Sequence, residues 1–169
     1  MRYTSEGSKP GPRRSCTQMP GTVPLEVRIA LDQLVNEFAY LVDFGPSETI
    51  ADLFVEDGWY GWGDKRSVGR EAIRNTYRAR AARGLRTSRH LNTNQRLTMA
   101  GDNEARGQSI WLIFAEDGPP PHPAVPLLVA DVHDVYVHQD GRWLFQSRQL
   151  DDVFVAPDRK AVLPLSSTR

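Results

Sequence analysis

The segment Arg86-Thr-Ser-Arg-His-Leu-Asn-Thr-Asn94 decides the fold, because it has the pattern of a β-strand with an unusual face. Side chains two positions apart in a strand lie on the same face, so His90, Asn92 and Asn94 are expected together. An ordinary core strand carries apolar residues there, and a polar face therefore predicts a pocket. The alternative is an edge strand or a bulge that turns Asn92 and Asn94 towards water.

Strand periodicity continues from this segment towards the end of the chain. Gly101-Asp-Asn103 and Gln139-Asp-Gly141 are signals for tight turns. An antiparallel meander of strands is predicted over residues 86–99, 103–114, 127–138 and 143–152, with a separate short strand over residues 59–62. Prolines within residues 116–126 remove backbone donors and predict a stiff loop that can overhang a pocket mouth.

Helical periodicity precedes the strands. Pro24 suits a helix start, and Gly45-Pro46 ends the first helical run. Ser47 is expected to cap a short second helix, which stops at Asp57-Gly58. Strong helix formers over residues 69–83 predict a third helix. Three helices followed by a curved sheet that they plug are typical of an α+β cone.

Composition limits the classes of protein to which the chain can belong. With 169 residues, the chain fits one domain at 24–155, with a disordered leader at 1–23 and a flexible tail at 156–169. The 21 basic and 21 acidic residues cancel, which disfavours nucleic acid and anionic membranes as partners. No segment has the apolar length of a membrane span or a signal peptide. The single cysteine, Cys16, favours a reducing compartment and hence a cytoplasmic location.

Asp43 is placed unusually, in the last turn of the first predicted helix. A carboxylate at that end meets the negative pole of the helix dipole, which costs stability. Such a position suggests a chemical role. An aspartate that simply ends a helix before a Phe-Gly turn is the alternative.

Five spaced pieces of the chain carry a resemblance to a known family. They are Tyr40-Leu-Val-Asp-Phe-Gly45, Leu53-Phe-Val-Glu-Asp-Gly58, Gly69-Arg-Glu-Ala-Ile73, Arg89-His-Leu-Asn-Thr-Asn94 and Asp140-Gly-Arg-Trp143. Together they resemble the SnoaL-like branch of the NTF2-like superfamily over roughly residues 24–152. The resemblance implies the cone fold shared with scytalone dehydratase and ketosteroid isomerase, in which three N-terminal helices pack on a curved, mostly antiparallel sheet.

The resemblance also implies roles for two residues. Asp43 matches the acidic residue that follows the pocket tyrosine of scytalone dehydratase, and His90 matches the first catalytic histidine of that family. Val42 replaces that tyrosine here, and the second catalytic histidine aligns near Phe114. Asp43 and His90 are therefore the candidate catalytic pair. A structurally hydrogen-bonded histidine is the alternative for His90.

An aspartate beside an imidazole can set its tautomer and share proton transfer with it, so the pair can remove an α-proton or expel water. This chemistry needs no cofactor, and the spacing of the histidines and of the one cysteine predicts no metal site. Tyrosine hydroxyls and asparagine amides can hold a carbonyl or an enolate. The predicted substrate-binding residues are Tyr40, Tyr60, Trp62, Asn92, Asn94, Trp111 and Phe114. For the aromatic residues among them, a place in the core is the alternative.

Two arginines leave a further choice open. Arg89 and Arg148 can bind an acidic substrate or pair with carboxylates on the surface of the sheet.

The resulting hypothesis is a cofactor-independent lyase or isomerase. A dehydratase, cyclase or ketosteroid-isomerase-like enzyme would act on a hydrophobic carbonyl or polycyclic metabolite. The alternatives are a non-catalytic ligand-binding protein, a stabilising subunit like the β chain of a ring-hydroxylating dioxygenase, or a protein-interaction module. The open sheet of this fold favours a homo-oligomer.

Overall fold

The helices and strands follow the predicted order in the computed structural model, which describes residues 22–157. They are α1 (Leu25–Asp43), a 3₁₀ helix (Ser47–Leu53), β1 (Phe54–Trp62), β2 (Lys65–Val68), α2 (Arg70–Ala81), β3 (Arg86–Gly101), β4 (Glu104–Asp117), β5 (Leu128–Gln139) and β6 (Arg142–Val155). Most of the predicted leader and tail lie outside the described residues. None of the helices in residues 22–157 has the length and apolar character needed to cross a membrane.

All six strands form one sheet in the order β2-β1-β6-β5-β4-β3. The predicted meander of β3 to β6 is confirmed, and β1 joins it by pairing parallel to β6. Strand β2 was not predicted. It pairs with β1 through the two-residue turn Gly63-Asp64, where Gly63 has φ +59°. That turn is a hairpin signal, but the strand after it is short and mostly exposed.

The helices match the prediction except at the second one. Helix α1 begins after Pro24, and α2 occupies most of the third predicted helix. The predicted cap at Ser47 is wrong, because Thr49 supplies the turn through bonds from its backbone N and its Oγ1 to the carbonyl of Pro46. The predicted stop at residue 57 is also wrong, because Phe54 already begins β1.

The core forms where α1 packs on the inner face of the sheet. Phe38 projects from the buried stripe of α1, and its side chain is 0% exposed. Its ring lies with centroids 5.6 to 6.2 Å from five other aromatic rings, those of Phe54, Tyr60, Tyr77, Trp111 and Phe145. One phenylalanine thus connects α1, α2 and three strands.

A bulge interrupts β3 just beyond the residues of the predicted polar face. Between Thr93 and Arg96, β3 advances three residues while β4 advances two. Asn94 occupies the bulge with φ +54°, a left-handed conformation that asparagine tolerates better than most residues, and its side chain is exposed. Leu97 then faces the core. Asn94 thus lies apart from the inner face that carries His90 and Asn92, and its substrate-binding role stays a prediction.

Replacing Phe38 by alanine should destabilise the whole domain. The substitution would leave a cavity among five rings, and we expect the free energy of unfolding to fall by about 3–5 kcal/mol in urea denaturation. Ile29→Ala on the exposed side of the same helix is the matched control, with an expected change of less than about 0.5 kcal/mol. Equal losses in both variants would contradict a core centred on Phe38.

Candidate active site

Asp43 and His90 meet where the end of α1 packs on β3. The carboxylate Oδ1 of Asp43 lies 2.6 Å from Nδ1 of His90, and Oδ2 accepts a hydrogen bond of 2.7 Å from the backbone N–H of the same histidine. The two side chains are only 4% and 6% exposed. The imidazole is therefore held in one orientation, with its Nε2 turned away from the carboxylate.

A second layer of polar residues holds the carboxylate. The Oγ of Ser88 donates a hydrogen bond of 2.7 Å to Oδ1 of Asp43. Arg80 of α2 donates to Ser88 Oγ at 3.2 Å and to the carbonyl of Val42 at 3.5 Å. These bonds tie α1, α2 and β3 together, and they offset the unfavourable position of Asp43 at a helix C-terminus.

The surroundings set the protonation states of the pair. Burial raises the pKa of Asp43, but the hydrogen bonds and charge of His90, with the bond from Ser88, outweigh burial and bring this pKa below 3.8. Burial lowers the pKa of His90 below 6.5, against the opposing effect of Asp43. At neutral pH the aspartate is therefore ionised and the imidazole neutral. Nδ1 carries the proton that Asp43 accepts, and Nε2 keeps a free lone pair.

Asn92 and Trp111 form the wall beside the imidazole. The Oδ1 of Asn92 accepts hydrogen bonds of 2.8 Å from both Ser109 Oγ and Trp111 Nε1. The indole ring stands edge-on to His90, with ring centroids 5.0 Å apart. The polar inner face predicted for β3 is thus present at His90 and Asn92, and Trp111 joins it from β4.

Tyr60 and Trp62 extend from β1 into or beside the same interior. Tyr60 is buried and stacks on Phe38, and burial raises the pKa of its hydroxyl to about 12, so it stays a hydrogen-bond donor. Trp62 is half-buried, and its Nε1 donates a hydrogen bond of 2.8 Å to Asp152.

Tyr40 and Phe114 are not brought to the pair of Asp43 and His90, and their substrate-binding roles stay predictions. Tyr40 lies off the buried stripe of α1, is 56% exposed and packs against the ring of Phe44. Phe114 is three positions from Trp111 on one strand, so it lies on the opposite face of the sheet. In both cases the position depends on which face of the helix or strand carries the side chain.

Two residues that hold the pair were not identified from the sequence, which also left the place of a third residue open. Ser88 precedes His90 by two positions and shares its face, a signal that strand alternation alone could have supplied. Arg80 gave no such signal, because it belongs to a distant helix. Arg148, for which an acidic substrate and a carboxylate on the sheet surface were the two expected partners, is fully buried.

A cavity of about 200 Å³ opens beside Ser88. Its walls come from the ends of β3 and β4 and from the proline-rich loop, including Phe114, Pro120, His122 and Val125. The loop therefore borders a cavity, as its composition predicted, but neither Asp43 nor His90 lines that cavity.

Helices packed on a curved six-stranded sheet form the fold that is also seen in solved structures of NTF2-like proteins with a cystatin-like fold. The chain belongs to the SnoaL-like family, because the model of the SnoaL-like domain matches residues 23–149. No curated protein sequence matches the chain.

Three solved structures illustrate the similarity. A protein from Novosphingobium aromaticivorans, provisionally assigned as a scytalone dehydratase, has 24% identity and a TM-score of 0.70, with 81% of this chain and 91% of that chain covered. An NTF2-like protein from the same species has 23% identity, a TM-score of 0.63, and coverage of 76% and 83%. The protein Aln2 from a Streptomyces species has 19% identity, a TM-score of 0.68, and coverage of 77% and 93%. At these identities the similarity shows the fold alone.

The buried imidazole should make the fold sensitive to acid. Since the pKa of His90 is lowered on folding, the unfolded chain takes up a proton below pH 6.5 before the folded chain does, and the free energy of unfolding falls. In His90→Asn, the asparagine amide can still donate a hydrogen bond to Asp43, but it has no ionisable group. Between about pH 7.5 and about pH 5.5, the wild type should lose up to about 1.4 kcal/mol more than this variant in urea denaturation.

An exposed histidine on β5 supplies the control for this measurement. His133→Asn should keep the pH dependence of the wild type. If His90→Asn and the wild type lost the same free energy over this range, the neutral buried imidazole would be ruled out.

Proposed function

We propose that the protein is a cofactor-independent lyase or isomerase in which His90 acts as the general base and Asp43 orients it. The observation that supports this role best is the double contact of Asp43 with the side chain and the backbone of His90. It fixes the tautomer with the proton on Nδ1, and the lowered pKa of His90 keeps Nε2 able to accept a proton at neutral pH.

The proposed reaction begins at a carbon next to a carbonyl group. Nε2 of His90 removes the α-proton, and the electron pair of the C–H bond moves into an enolate. The ionised Asp43 stabilises the imidazolium that forms, as a carboxylate does for a histidine base. Return of the proton to another carbon completes an isomerisation. Transfer of the proton to a departing hydroxyl group releases water and completes a dehydration. Attack of the enolate carbon on a second carbonyl gives an alkoxide, which takes the proton back from His90 and completes a cyclisation.

The walls of the interior suggest a hydrophobic carbonyl or polycyclic substrate. The rings of Trp111, Phe38 and Tyr60 pack together into a buried aromatic interior, with Trp111 in contact with the imidazole. Asn92 is held rigidly beside His90 by two hydrogen bonds to its oxygen, so its amide N–H groups can position a substrate carbonyl. Membership of the SnoaL-like family supports this class of reaction. A dehydration is in keeping with the provisional assignment of one similar structure.

One observation favours a second candidate function, that of a non-catalytic ligand-binding protein or stabilising subunit. The side chains of Asp43 and His90 are nearly closed off from solvent, and a structural ion pair would be buried in the same way. Such a protein would bind hydrophobic ligands without exchanging their protons.

Deuterium uptake distinguishes the two functions. In D₂O, a panel of bicyclic and polycyclic ketones should gain deuterium at the α-carbon in the presence of the wild type. The gain in mass is measured by mass spectrometry. His90→Asn and Asp43→Asn should each slow the uptake by about 10²–10⁴-fold, the usual contribution of a positioned general base. Glu37→Gln on the exposed side of α1 and His133→Asn are matched controls that should keep the wild-type rate.

Binding of the same ketones is measured alongside by calorimetry. Uptake that is equal in wild type and in both site variants would exclude His90 as the base. Binding with no uptake by the wild type would favour the non-catalytic function.

A further inference from the structure

Arg148 is a charged side chain enclosed in the aromatic interior. It lies on β6 with 0% of its surface exposed. Its guanidinium carbon is 4.5 Å from the ring centroid of Phe38, 4.4 Å from that of Trp111 and 5.0 Å from that of Phe145. The rings stabilise the cation through their faces. They leave the N–H groups along the edge of the guanidinium as the part that can hydrogen-bond.

Those N–H groups find no acceptor within residues 22–157. Nε, Nη1 and Nη2 are all buried and all lack a hydrogen-bond partner there. Leaving a buried donor unsatisfied costs about 1–3 kcal/mol, and more for a charged group. Arginine is suited to oxygen pairs, because its planar fork matches the two oxygens of a carboxylate.

Asp134 balances the charge of Arg148 but does not satisfy its donors. Its Oδ1 lies 3.5 Å from Nε of Arg148 and has no hydrogen-bond partner among the described residues. Its Oδ2 is already engaged, since it accepts a hydrogen bond of 2.8 Å from the hydroxyl of Tyr136. The two residues form an ion pair with no hydrogen bond between them, which is a costly arrangement in a protein interior.

Trp111 connects this cation to the proposed base. One indole ring contacts both His90, with centroids 5.0 Å apart, and Arg148, at 4.4 Å from the guanidinium carbon. The positive charge of Arg148 is also close enough to lower the pKa of His90. A flat ligand lying beside Trp111 can therefore present one end to the imidazole and the other to the guanidinium.

We propose that Arg148 binds a carboxylate group of an aromatic or polycyclic acid, with the reacting carbon of the same molecule directed towards His90. The proposal deepens the proposed function and rests on it for the role of His90, but carboxylate binding is measured separately. Because Arg148 has no exposed surface, binding requires the side chains around the guanidinium to move apart.

The test compares two probes by calorimetry, 2-naphthoate and its methyl ester, which share the ring system and differ in charge and in one methyl group. The wild type should bind 2-naphthoate at least about tenfold more tightly than the ester, as expected for a charge-assisted bidentate contact. Arg148→Met keeps much of the side-chain volume and should abolish this preference. Arg89→Met is the matched control and should keep it, because Arg89 also stacks on a ring, that of Phe44 at 4.3 Å, but is exposed.

A second variant serves if Arg148→Met does not fold. Asp134→Asn removes the competing carboxylate and leaves the guanidinium uncompensated, so it should tighten 2-naphthoate by roughly tenfold and leave the ester unchanged. Failure of the wild type to bind 2-naphthoate, equal affinities for both probes in the wild type, or a preference that survives Arg148→Met would overturn the proposal. An unchanged affinity in Asp134→Asn would overturn it as well.

His90→Asn separates this proposal from the proposed function. The variant should lose deuterium uptake and still prefer 2-naphthoate to its ester. A wild type that shows the preference but no uptake on any ketone or keto acid would refute the base and keep the carboxylate site. Uptake without the preference would refute the carboxylate site and keep the base.

Discussion

The contact between Asp43 and His90 is the constraint on which the rest of the interior depends. One carboxylate binds the backbone and the imidazole of a single residue, so the end of α1 cannot shift along β3 without breaking both bonds. That alignment places Phe38 of α1 among the rings of the sheet and brings Arg80 of α2 to Ser88. The helices are positioned by a polar contact at one end and by aromatic packing along their length.

The interior thus holds two pairs of an acidic and a basic side chain on either side of Trp111. Asp43 accepts hydrogen bonds from both His90 and Ser88. By contrast, Arg148 and Asp134 are matched in charge only. Low polarity strengthens every interaction between these groups and any ligand. Low polarity also makes the pair of Arg148 and Asp134 the more costly one to bury, because no hydrogen bond joins the two side chains. For this reason we assign a ligand to Arg148.

Much of the fold could be predicted from the sequence, because α1 and the strands β3 to β6 carry clear periods of their own. The candidate pair came from the resemblance, since nothing local shows that residues 43 and 90 meet. The face on which a side chain lies was the hardest feature to predict. The face of Phe114 follows from alternation along the strand, because Phe114 is three positions from Trp111. The face of Asn94 depends on a bulge, which a hydrophobic pattern does not show. The burial of Arg148 depends on register with Asp134 across a hairpin, which one strand alone cannot reveal.

The bulge at Asn94 has a consequence for the shape of the domain. The extra residue leaves the pattern of inward side chains intact, since Leu97 would also face inward in a regular strand that lacked Asn94. What the extra residue supplies is curvature, because it makes one strand longer than its neighbour and forces it to bend. Strand β6 is longer than β5 for the same reason, because it has an extra residue at each of the two register shifts between these strands. The curvature of the sheet is therefore set by differences in strand length, and a chain without these extra residues would form a flatter sheet from the same side chains.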